Sequence, residues 1–171
     1  MTHDPTFVPK QISREGVPAA LEKAQRYRLL NEPQAAESIC LDILAVDAAN
    51  QQARILQLLA VSDQLRDELS TGLRRARELL ADIDDEYRRR YYDGILCERF
   101  AMAKLHQGAP GAEESAYEWL RRAMEAYEGA EAMRPAGNDE AILRWNTCAR
   151  ILARSPALHP TAPAEYEPSL E

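Results

Sequence analysis

A chain of 171 residues with 21 basic and 28 acidic side chains, net charge −7, has no electrostatic footing for non-specific nucleic-acid binding. Counts of 28 Ala, 20 Leu, 18 Glu and 18 Arg against 4 Val and 5 Thr favour helices and exclude a sizeable sheet. No apolar run approaches the roughly 18 residues of a membrane span, and Met1 to Pro5 lacks the layout of a signal peptide. The three cysteines, Cys40, Cys97 and Cys148, form no C-x-x-C pair, which fits free thiols in a reducing cytoplasm.

Proline placement divides the chain. Residues 1–15 contain Pro5 and Pro9 without periodicity and read as an extended arm. Residues 154–171 contain Pro156, Pro160, Pro163 and Pro168 and read as a flexible tail. Between them, residues 16–153 form one helical domain. Its first helix runs from Val17 to Leu30, with Leu21, Ala24 and Tyr27 on one face and Pro18 in the first turn. After Pro33 a second helix runs from about Gln34 to Val46. A third runs from about Gln51 to Val61 behind the capping residue Asn50.

The fourth helix spans about Leu65 to Ile83 and the fifth about Glu86 to Gln107. Gly108 to Gly111 separates the fifth from a sixth over about Ala112 to Met133. The turn containing Asn138 and Asp139 opens a seventh, to about Ala153. Seven helices on short connections imply antiparallel neighbours.

The chain also repeats itself. Ala36-x3-Cys40-x2-Ile43-x4-Ala48 and Ala123-x3-Tyr127-x2-Ala130-x4-Pro135 share one spacing, and Gly72-x3-Ala76-x2-Leu79-x4-Asp84 is a weaker copy. Small residues at such positions let the helices of a hairpin approach closely, and the larger side chains fill the gap beside them. The offset from Ala36 to Gly72 is 36, near the period of about 34 in tetratricopeptide repeats. Ala24-x2-Tyr27, Ala36-Glu37, Ile43-Leu44 and Asp47 to Asn50 resemble one such repeat. Tyr127, Ala130 and Arg134 to Asn138 resemble the second helix and exit turn of another.

The resemblance implies an all-α fold: a right-handed superhelical stack of about three helix hairpins closed by a C-terminal capping helix. The offset from Gly72 to Ala123 is 51, some 17 residues more than one repeat of about 34. Placing the surplus after Cys97 and before Ala123, with Gly94 facing Ala123, lengthens both helices of the third hairpin by about two turns.

No H-E-x-x-H, G-x-S-x-G or Gly-rich phosphate loop occurs, so no catalytic, cofactor or metal site is expected. His106 reads as a cation near a helix C-terminus, and Cys97, among Ile95, Leu96 and Phe100, as a buried thiol. Trp119 and Trp145 read as packing residues. The cluster from Tyr87 to Tyr92 reads as a solvated helix face, Glu86 pairing with Arg89 or Arg90, with its tyrosines turned to the core.

Helical-repeat stacks hold partner segments on the concave side, lined by the first helix of each hairpin. By that resemblance the groove residues are Gln25, Arg28, Ile55, Leu59, Tyr91 and Ile95. The family's two-carboxylate clamp calls for Lys and Asn where this chain has Leu21, Gln25 and Leu56. The expected function is a non-catalytic adaptor binding a peptide or amphipathic helix of another protein. The alternatives are self-assembly as a homodimer through the long third hairpin, and a helical small-ligand sensor.

Overall fold

The structure is a computed structural model that describes residues 7–160. Among these residues, a 3-10 turn, Arg14–Gly16, is followed by seven α-helices: α1 (Val17–Leu29), α2 (Pro33–Val46), α3 (Gln51–Asp63), α4 (Leu69–Ala81), α5 (Glu86–Gln107), α6 (Ala112–Glu131) and α7 (Glu140–Arg154). No strand is present among the described residues, and no described helix is long and apolar enough to cross a membrane.

Local chemistry sets the breaks. Pro33 occupies the first position of α2, where its missing N–H costs nothing. The Asn50 side chain accepts from the Ala53 N–H at 2.9 Å, and that of Asp85 from the Arg88 N–H at 2.7 Å, capping α3 and α5. Gly108, at φ 62°, ends α5 in a left-handed turn that a Cβ would strain. One boundary differs from expectation by more than two residues. Helix α4 starts at Leu69, not Leu65, because the chain turns after α3. The Gln64 amide donates to the Ala60 carbonyl at 3.1 Å and to Glu37 at 3.0 Å, while Leu65 is buried against Gly72.

Each helix packs on the next in the chain. The odd helices also touch one another, α1 on α3, α3 on α5 and α5 on α7, and no even pair makes a comparable contact. The core follows that order in three clusters. Val17, Leu21, Ala24, Cys40 and Ile43 hold the first hairpin to α3. Leu58, Ala76, Ile83, Leu96 and Phe100 join α3, α4 and α5, and Ala123, Tyr127, Ala141 and Cys148 join α5, α6 and α7. The repeat alanines Ala36 and Ala123 are both wholly buried.

Helices α5 and α6 have 22 and 20 residues against 13 in α3 and α4. Nine extra residues in α5 amount to about 13 Å of helix. The close contact of this hairpin differs from expectation: Gly94 faces the Tyr127 ring, which a Cβ on Gly94 would overlap. Residues flanking the helices also pack on them. Ile12 packs on the first cluster and Ser13 caps the opening turn. Leu158, 7% exposed, belongs to the third cluster. The remainder of the expected arm and tail, residues 1–6 and 161–171, lies outside the described residues.

Candidate binding groove

On the side formed by the odd helices lies an open cavity of about 680 Å³. Helix α1 contributes Gln25 and Arg28, and α3 contributes Gln52, Ile55, Leu56 and Leu59. Helix α5 contributes Tyr87, Arg88, Tyr91 and Tyr92, and the approach to α7 adds Met133, Pro135, Asn138 and Glu140. Five of the six residues expected from the sequence thus meet here. The sixth, Ile95, does not. It is 5% exposed inside the third cluster, covered by α6 and α7.

Tyrosines dominate one wall. Tyr87 and Tyr91, one turn apart, have centroids 6.1 Å apart and planes 7° from parallel. Tyr92 meets Tyr91 edge-on at 5.2 Å, and Tyr127 backs Tyr91 from the core at 6.0 Å. All three wall tyrosines are half-buried, so their rings serve the core and the groove together. Burial raises each phenol above its ordinary pKa, and Glu140 adds to the rise at Tyr87, so all three remain O–H donors at neutral pH. The Tyr87 hydroxyl oxygen is shielded from solvent without a hydrogen-bond partner among the described residues; Asn138 lies beside it outside bonding geometry. Two of the intervening arginines behave as expected from the sequence. Arg89 and Arg90 pair with Glu86 at 2.6 and 2.9 Å on the exposed face.

Two polar networks, which sequence periodicity does not encode, fix the odd helices in place. Asp63 of α3 accepts from Arg28 Nε at 2.7 Å and forms a salt bridge with Arg99 at 2.8 Å, bridging α1, α3 and α5. Arg99 also donates to the Leu59 carbonyl at 3.0 Å and to Ser62 Oγ. Burial pulls the Arg99 pKa below its ordinary value, and Asp63 opposes that pull. Glu98, 8% exposed, accepts from the Tyr127 hydroxyl at 2.8 Å and from Arg144 at 3.3 Å, joining α5, α6 and α7. A carboxylate set among Ile95, Leu96, Cys97 and Phe100 was the one available hint, since such a group is tolerated inside only when bonded.

No family model, curated protein or solved structure matches the chain. The groove is therefore read from its own chemistry. Its ionic lining is balanced, Arg28 and Arg88 against Asp85 and Glu140, and its remaining polar groups are amides and phenols. No group of three or more His, Cys, Asp or Glu is placed to hold a metal ion among the described residues. The thiols lie away from the groove lining. Burial raises Cys97 and Cys148 to about 12 and Cys40 to about 11, with Asp93, Glu98 and Glu37 respectively adding to the rise. Such thiols are poor nucleophiles.

Proposed function

We propose that this protein is a non-catalytic adaptor that holds a segment of a partner protein in the cavity between α1, α3, α5 and α7, as a tetratricopeptide-like stack acting in the cytoplasm. The observation that carries the reading is the convergence of Gln25, Arg28, Ile55, Leu59 and Tyr91, from three helices, on one cavity. Apolar rings and aliphatic side chains with a few polar groups on rigid helices are the chemistry of a peptide groove. The ion-paired odd helices support it further, because a preorganised groove loses less entropy on binding.

The test is site-specific photo-crosslinking in the native cell. A photoreactive residue at Gln52, inside the groove, should trap a discrete partner, and one at Glu118, on the exposed face of α6, should not. The 22- and 20-residue hairpin α5–α6 favours one other reading, self-assembly along its side. Trapping of a second copy from Glu118, with none from Gln52, would select that reading instead.

A further inference from the structure

The hydrogen-bonding groups on the walls of the cavity bear on the form of ligand it suits. Gln25 and Gln52 are exposed on its walls, and neither side chain hydrogen-bonds to protein among the described residues. An α-helical ligand pairs its own backbone groups and would offer such donors little beyond side chains. An extended ligand differs, because every residue carries a carbonyl in need of a donor. Polyproline II geometry is the extreme case: it has no internal hydrogen bonds, and its order is largely preformed.

The other contacts point the same way. Half-buried tyrosines held nearly parallel one helical turn apart are the surface against which pyrrolidine rings pack. The lining carries two arginines against two carboxylates, so a charged segment gains no net attraction and an uncharged one gives up none.

We propose that the groove takes an extended, uncharged, proline-bearing segment of a partner in polyproline II conformation. Tyr87 and Tyr91 pack on its rings, and Gln25 and Gln52 donate to its carbonyls. This rests on the concave cavity being the binding surface and adds the chemical class of what enters it.

The experiment is fluorescence anisotropy of a labelled uncharged oligoproline peptide on the full chain, beside a labelled amphipathic helical peptide of equal length. The oligoproline should bind, with less than about a twofold change in affinity between low and high salt, since screening has no charge on the ligand to act upon. Tyr87→Ala and the double variant Gln25→Ala/Gln52→Ala should each weaken it by about tenfold or more. Tyr87→Phe should lose less than Tyr87→Ala, and Glu118→Ala should bind as the parent does. Both glutamines are exposed, so the double variant keeps the test informative even if Tyr87→Ala disturbs folding.

Capture of the helical peptide in preference to oligoproline overturns the proposal. So does oligoproline binding that is indifferent to Tyr87 and to the glutamine pair, and so does failure of both peptides to bind. In that last case crosslinking from Gln52 still decides independently whether the groove holds a partner.

Discussion

Two helix glycines respond oppositely to the same substitution if the packing of the third hairpin is right. In Gly94→Ala, the added Cβ would sit 2.8 Å or less from Cε1, Cδ1 and Cζ of Tyr127. That ring has nowhere to go: it is wholly buried and its hydroxyl is held by Glu98, which Arg144 holds in turn. Forcing a methyl into such a site costs about 1–3 kcal/mol, and overlap with three ring carbons argues for about 3. Replacing a mid-helix glycine returns about 1 kcal/mol, leaving a net loss of about 2 kcal/mol, or about 4–8 °C in Tm for a domain of this size.

In Gly129→Ala the displaced atoms belong to Arg90, a half-exposed flexible side chain, so the helix gain should prevail and stability should rise by up to about 1 kcal/mol. Urea unfolding followed by far-UV circular dichroism measures both. A Gly94→Ala midpoint equal to or above the parent's would refute the close contact between α5 and α6.

Other outcomes follow from the core and the polar networks. Tyr127→Phe leaves a buried Glu98 short of one donor and should cost about 1–3 kcal/mol in urea unfolding; no change would show that bond to be idle. Ala36→Leu and Ala123→Leu should each lower the urea midpoint by an amount worth about 1–3 kcal/mol, since both alanines are wholly buried. Leu158→Ala should cost about 2 kcal/mol or more, placing the chain after α7 in the folded unit; an unaffected melting curve would place it outside. Burial raises the three thiols to about 11 to 12 from an ordinary 9.0. Unfolded thiols therefore ionise first, and stability should fall as pH rises from about 9 towards 11, by up to about 1.4 kcal/mol per pH unit per thiol. Urea midpoints at about pH 8 and pH 10 check the sign.

What the sequence made legible was what short-range chemistry controls. Pro33, Asn50, Asp85 and Gly108 act within a turn of themselves, and the helix limits they set are the ones observed. The start of α4 escaped because it depends on Gln64 reaching back to Glu37 and Leu65 reaching forward to Gly72. The networks escaped for the same reason. Tyr127 to Glu98, Arg28 to Asp63 and Arg144 to Glu98 are separated by 29, 35 and 46 residues, and no periodicity encodes such pairings. Arg28 illustrates the consequence. It is one of the groove residues implied by the resemblance and it lines the cavity, yet its guanidinium is engaged by Asp63. Ile95 shares a helix face with Tyr91, but one turn further along α5 that face lies under α6 and α7. Position on a helix could be read from spacing; what covers each turn could not.

The claim that matters most is that the concave cavity is the working surface. It is tested most directly by partner capture from native lysate with Tyr91→Ala, Arg28→Ala and Glu118→Ala against the parent, each checked for helicity. Truncating a central aromatic anchor commonly costs about 2 kcal/mol of binding or more, about thirtyfold in affinity. Tyr91→Ala should therefore abolish capture, and Arg28→Ala, already paired within the protein, should reduce it only mildly. Glu118→Ala on the far side of the third hairpin should leave capture at the parent's level. Loss of capture in Glu118→Ala with retention in Tyr91→Ala would contradict the account and move the working surface to the outside of α6.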